Sequence, residues 1–315
     1  MTEEKFQILL SKVEEVKEKN EGLLFSLPNV VGVGIGLKEV KGKETKEIVL
    51  STYVEKKLSR DKLGANELVP DSFSIPKTSE TIKTDVRQVG KIEALAFTAN
   101  IRPAKPGYSI GHHLITAGTF GCLVRDVCPP CRIHILSNNH VLANSNAAGI
   151  GDPILQPGRH DGGRYPANML ARLSRFIPIA YGSIAQYNLV DAALALPTNQ
   201  RKVISSIMGL GIPKGTVEAI LGMEVIKSGR TTEITKGKVI GMDATVAVHY
   251  GSGIAYFRNQ IMTTNMSQGG DSGSLLMSQA RHEATGLLFA GSSTVTIHNN
   301  IKNVLMALGV EIVIS

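Results

Sequence analysis

Three polar residues in apolar or glycine-rich surroundings carry the chemistry this sequence offers. Ser272 lies in Gly269–Ser274 (GGDSGS), which runs straight into apolar Leu275–Met277. Glycines on both sides let the backbone take torsions closed to other residues and approach a carbonyl group closely. Such a turn can aim the amides of Gly270 and Ser272 at one point, an oxyanion hole for a tetrahedral intermediate. The Ser272 hydroxyl is then a nucleophile, given a base to take its proton.

His140 supplies that base. It ends the apolar stretch in Ile133–Val141 (IHILSNNHV), so its backbone is anchored while its ring can face a cleft. Imidazole titrates near neutrality and suits proton transfer. A lone histidine is more often structural, and His140 gains weight from its companions. Asp191 is the one charge in Leu189–Leu196 (LVDAALAL). A buried carboxylate needs donors waiting for it. It reads either as a strand-end cap or as the acid that fixes an imidazole tautomer and stabilises the imidazolium. The order His140, Asp191, Ser272 differs from the orders of subtilisin-like and α/β-hydrolase enzymes.

Other candidates are weaker. Cys128 and Cys131 (CPPC) fall between two strand-like runs. They read as a hairpin turn, with a reversible disulfide or a metal shared between subunits as the other readings. One Cys pair is half a zinc site, and His112, His113 and His160 have no recognisable ligand spacing, so no metal and no cofactor is expected. Gly229–Thr232 (GRTT) reads as a structural turn with Arg230 bridging backbone carbonyls, or as a wall of the substrate cleft. Gly32, Gly34 and Gly36 alternate without the spacing or the following helix of a phosphate loop.

These residues need a scaffold, and composition bounds it. The chain has 315 residues, 43% of them hydrophobic and 19% charged, enough for one large core and a smaller one. Residues 1–99 balance 16 basic against 16 acidic side chains, whereas residues 100–315 carry 18 against 11. No tight basic run and no nucleic-acid motif accompanies that excess, so nucleic acid is not an expected partner. The start lacks a secretory pattern and no apolar run has membrane-spanning length. A cytoplasmic protein with reduced cysteines and no membrane contact is expected.

Two domains are expected, at residues 1–95 and 105–315. In the first, Phe6, Leu9, Leu10, Val13 and Val16 predict an amphipathic helix stopping near Asn20 and Gly22. Asn29–Val40 and Glu47–Glu55 predict a hairpin around the turn Lys41–Lys46, and Thr84–Gly90 a third strand. This is a small α+β domain. Beyond it, short apolar runs punctuated by Gly, Pro and Asn continue until a helical pattern at Ile301–Leu308, which favours a mainly β barrel or sandwich.

The sequence resembles the chymotrypsin/trypsin-like serine peptidase superfamily over roughly Ile110–Leu308. Within it, ITAGTFGCLV, LSNNHVLAN, GDPILQPG, LVDAALA, KSGRTTEIT, GGDSGSL and GLLFAG are similar to bacterial trypsin-like peptidases related to the plant narrow-leaf protein. NVVGVGIGLK and STYVEKKL resemble that group's small leading domain. The resemblance implies a double β-barrel with its active site between the barrels. His140 would be base, Asp191 orienting acid and Ser272 nucleophile, in a serine endopeptidase acting on proteins or peptides. It also implies a substrate pocket at Met266 and Gly291. Met266 stands where trypsin-like specificity for Lys or Arg needs an acid, so small or apolar side chains are expected there. No Ile-Val-Gly-Gly start exists to pair with Asp271, so that carboxylate must find another partner or stay exposed, and no zymogen activation step is expected. Homo-oligomers are conceivable. A non-catalytic binding or scaffold module on the same fold, and an esterase, are the competing readings.

Overall fold

A computed structural model describes residues 3–40, 42–90 and 96–314. The chain divides into two compact units, Met1–Leu95 and Ala96–Ser315.

The first unit is one helix on one sheet. Helix α1 spans Glu3–Ser26; strands β1 (Val30–Val40), β2 (Lys43–Val54), β3 (Ser72–Ser74) and β4 (Thr81–Gln88) follow. They form a sheet in the order β1-β2-β4-β3. The expected hairpin is present but tighter, with Val40 opposite Lys43; Lys41 lies outside the described residues. Strand β4 runs parallel to β2, Leu50 facing Thr84. The helix does not stop at Asn20 and Gly22. Leu24 lies eight residues after Val16, on the same face, and is buried with Val13, Val16, Ile48, Leu50, Ile75 and Ile82. Burying one leucine contributes roughly 1.5–3 kcal/mol, more than the about 1 kcal/mol that a helical glycine costs, so the helix runs on through Gly22.

The second unit is almost wholly β. Its first half contains β5 (Ser109–His112), β6 (Gly118–Thr119), β7 (Cys122–Asp126), β8 (Ile133–Ser137), the single-turn helix α2 (Asn139–Leu142), β9 (Pro153–Leu155), β10 (Met169–Phe176) and β11 (Ala193–Pro197). Its second half contains β12 (Glu224–Gly229), β13 (Glu233–Tyr250), β14 (Gly253–Thr264), β15 (Leu275–Ser278), β16 (Ala284–Gly291) and β17 (Val295–Asn300). Helix α3 (Ile301–Leu308) and β18 (Val310–Ile312) return the chain to the first half. An eight-stranded sheet, order β18-β7-β8-β11-β10-β9-β5-β6, faces a closed barrel, order β12-β13-β14-β17-β16-β15. This is the mainly β, chymotrypsin-like double-barrel arrangement. One core joins the halves: Cys122, Leu136 and Leu194 pack with Ile226, Leu275 and Leu287, and α3 adds Ile301, Val304 and Leu308.

Strands β13 and β14 form a long ribbon that the sequence does not announce. Their register shifts three times between Val239 and Val246, and Asp243 and Asn259 there take left-handed torsions. Such bulges bend and twist a ribbon. The outer half therefore leaves the barrel and pairs with the segment before β11. Asn188 donates its amide to the Tyr256 carbonyl at 2.8 Å and accepts from the Arg258 amide at 2.9 Å.

Candidate active site

His140 stands on α2, directly after β8, and not at a strand end as expected. Asn138 takes the N-cap position, and its side-chain amide donates to the Asp191 carbonyl at 2.8 Å. The Asp191 amide donates to Asn299 Oδ1 at 2.9 Å, and Asn299 in turn donates to Gln260. Both halves of the unit thus grip the backbone of Asp191, two residues before β11. Its carboxylate is fully buried and accepts three hydrogen bonds. His140 Nδ1 meets Oδ2 at 2.5 Å, the His140 amide donates to Oδ1 at 3.2 Å, and the Tyr250 hydroxyl donates to Oδ2 at 2.7 Å. With an acid on Nδ1, the proton resides there and Nε2 is left as the base.

The backbone of Ser272 is tied to the His140-bearing half. Its carbonyl accepts from the Thr119 amide at 2.7 Å. A Cβ on neighbouring Gly118 would strike both Val141, the residue after His140, and the Ser272 carbonyl at 3.1 Å. Gly273 has φ +95°, and a side chain there would collide with Ser137 and the Thr119 carbonyl. Only glycine lets the serine turn lie this close to the His140-bearing half.

Two hydroxyls set the amides beside Ser272. In a trans peptide the C=O and N–H point oppositely, so gripping the carbonyl aims the amide. Thr231 Oγ1 donates to the Gly269 carbonyl at 2.7 Å, which orients the Gly270 amide. Ser274 Oγ donates to the Asp271 carbonyl at 2.6 Å, which orients the Ser272 amide. Neither amide has a protein acceptor among the described residues, and both are free for an incoming oxyanion. Gly270 has φ +99° and would clash with Thr231 if it carried a Cβ.

Asp271 has a partner. Its carboxylate is fully buried against the equally buried Lys227 ammonium at 3.2 Å. It also accepts from the amides of Thr231 at 2.8 Å, Thr232 at 3.1 Å and Gln268 at 2.9 Å, and from the Thr232 hydroxyl at 2.7 Å. Asp271 therefore does not stay exposed: its partner is a lysine within the chain. Burial pushes the Lys227 pKa down and Asp271 opposes it. The GRTT turn is therefore the clamp of the serine loop. Arg230 does not bridge carbonyls; its Nε donates to the Asp161 carboxylate at 2.9 Å.

A cleft of about 540 Å³ opens beside Ser272, lined by Asn265, Ser267, Gln268, Gly291, Ser292 and Leu288 among others. Gly291 is a wall of it. Met266 is not: its side chain is buried with Val225, Val239, Ile261 and Leu276 in the second barrel. The neighbouring residue Ser267 faces the cleft and pairs with Thr296 Oγ1 at 2.8 Å. The wall residue is thus one position further along than expected, with Met266 packed inward and Ser267 open to the cleft.

Cys128 and Cys131 are exposed free thiols between β7 and β8, and Cys122 is buried, which pushes its thiol up to about 12. His112, His113 and Asp152 cluster, but His112 Nδ1 accepts from the Leu114 amide at 3.3 Å. That puts the proton on Nε2, which faces Asp152 at 3.1 Å, so His112 and Asp152 form a hydrogen-bonded pair. No helix among the described residues is long and apolar enough to cross a membrane.

No family model matches the chain. It is 34% identical over 124 residues to glutamyl endopeptidase 2 of Streptomyces griseus, covering 35% of this chain and 57% of the relative. It is 36% identical over 101 residues to serine protease 1 of Streptomyces fradiae, covering 30% of this chain and 26% of the relative. The matches thus span less than two thirds of either relative. Among solved structures, protease A of Thermobifida fusca is similar at 18% identity and TM-score 0.48, over 67% of this chain and all of that one. Over about a third of its length, then, the chain is similar to two curated serine proteases.

Proposed function

We propose that the protein is a serine endopeptidase. Ser272 attacks the scissile carbonyl while His140 takes its proton and later returns it to the leaving amine. Asp191 holds the imidazole tautomer, and the Gly270 and Ser272 amides receive the oxyanion. Water then releases the acyl-enzyme. The observation that carries this reading is the 2.5 Å contact of His140 Nδ1 with the buried Asp191 carboxylate, in the same half to which the Ser272 carbonyl is tied through Thr119. The finer kinship with peptidases related to the plant narrow-leaf protein rests on the sequence motifs.

The cleft beside Ser272 supplies hydroxyls and side-chain amides from Asn265, Ser267 and Gln268 and no carboxylate. A lysine or arginine side chain would lose its hydration there without a counter-charge. We assign the pocket to neutral polar side chains in place of the small or apolar preference expected above, and add acidic ones on the likeness to a relative named glutamyl endopeptidase. A panel of peptides differing only at the residue before the scissile bond tests both statements. Cleavage by wild type after Glu, Gln or Ser, with none by Ser272→Ala, is expected. Preferred cleavage after Lys or Arg would refute the pocket, and no cleavage of any peptide or protein would favour the binding module.

A further inference from the structure

Tyr250 is the residue of the site that neither its type nor its spacing suggests. It ends β13 at the tip of the bulged ribbon, where it pairs with Gly253. Two contacts fasten that tip next to Asp191. The Gly182 amide donates to the Ile254 carbonyl at 2.8 Å, and Asn188 bonds across to Tyr256 and Arg258. The Tyr250 ring stands edge-on to His140 at 5.9 Å and to Tyr181 at 5.9 Å, and lies against Phe257 at 6.2 Å. Its hydroxyl is therefore held in place from three sides, 2.7 Å from Asp191 Oδ2. That oxygen also receives His140 Nδ1, so the two donors share one acceptor.

The titratable groups facing this hydroxyl are Asp191, His140 on α2, and Tyr181 in the segment after β10. Burial first, and then the Asp191 carboxylate, push the Tyr250 phenol above its ordinary value. It keeps its proton and donates throughout the working range.

We propose that Tyr250 is a positioning residue of the active site, whose hydroxyl completes the donor set of Asp191 and thereby fixes the placement and the basicity of His140. The proposal rests on the peptidase reading for its kinetic consequence, but the contact itself does not. A carboxylate that accepts an extra hydrogen bond has its charge spread further and attracts the imidazolium less. It also has fewer free lone pairs, so the imidazole ring has one seat instead of several. The ribbon tip thus couples the second barrel to the proton-transfer pair of the first.

The test is Tyr250→Phe, which keeps the ring and its packing and removes one oxygen. Three readouts are expected to move together. With a peptide substrate, kcat falls about tenfold, the typical size of one hydrogen bond to a charged group, while KM stays within twofold (~2). The acidic limb of kcat/KM moves to higher pH, because His140 is then more easily protonated. The low-field proton resonance of His140 Nδ1 shifts and broadens, a readout that needs no hydrolysis and so separates this proposal from the peptidase reading. A folded Tyr250→Phe protein with an unmoved resonance and an unmoved pH limb would overturn the proposal. A loss confined to KM would also overturn it, and would make Tyr250 a wall of the substrate cleft instead.

Discussion

Two aspartates, Asp191 and Asp271, are both fully buried, yet the molecule surrounds them differently. Asp271 is locked by a buried lysine, three backbone amides and a hydroxyl. Its charge is met directly by the Lys227 ammonium. Among the described residues the Asp191 carboxylate accepts from His140 and Tyr250, and its main partner is a ring with 22% of its side chain exposed. The first arrangement fixes a loop. The second leaves a negative charge whose partner can gain a proton and lose it again. A buried carboxylate thus serves shape or chemistry according to whether its partner is permanently charged.

The largest effect expected from breaking this contrast is on the reactive side. Asp191→Asn keeps the shape but presents an amide to His140, and kcat should drop about ten-thousand-fold through the wrong tautomer. Thermal unfolding should shift little. A variant retaining a tenth of wild-type activity would remove Asp191 from the chemistry.

Lys227→Met should do the reverse and act first on stability. Removing one partner of a buried ion pair costs about 3–5 kcal/mol, because the other charge is stranded. Urea unfolding should show this loss. The double variant Lys227→Met/Asp271→Leu should recover part of it, which the single Asp271→Leu does not. Equal losses in single and double variants would mean that the pair is not coupled.

Between these lie the hydroxyls that aim the amides. Thr231→Val should lower kcat by about tenfold with KM nearly unchanged, since an amide that turns away is missed only in the transition state. Proportional loss in KM would show that Thr231 acts on substrate binding.

How far the sequence announces this site depends on what each residue borrows from its neighbours. Ser272 stands in a glycine turn that few other purposes require, and Asp191 is a lone charge in an apolar run, so both are legible. Lys227 is less legible, because Met223–Ser228 (MEVIKS) also carries Glu224 and so shows no lone charge. Tyr250 is not legible at all. Val246, Val248 and Tyr250 alternate as in any half-buried strand, and its position depends on bulges and on pairing with a segment some 60 residues away. Met266 and Ser267 are neighbours in the irregular segment after β14, and which of them faces the cleft follows from how that segment packs on the barrel rather than from residue type.

The smallest effect concerns a third buried group. His298 in β17 is held down to about 3 by burial, then by the nearby Lys227, against an ordinary 6.5. Between those values only the unfolded chain takes up the proton, so stability is complete above about 6.5 and falls as pH drops toward 3. The urea midpoint should decline over that window, and His298→Gln should flatten the decline. An unchanged slope would mean that His298 is protonated in the folded state.

The central claim, that Ser272 is a nucleophile driven by His140, is tested most directly by covalent capture. A peptidyl phosphonate is added to wild type, Ser272→Ala and His140→Ala, and the adduct is located by peptide mass mapping. A single adduct on Ser272 in wild type, absent from Ser272→Ala and slowed by orders of magnitude in His140→Ala, is the predicted result. Labelling that persists in Ser272→Ala, or an adduct on any other residue, would contradict it.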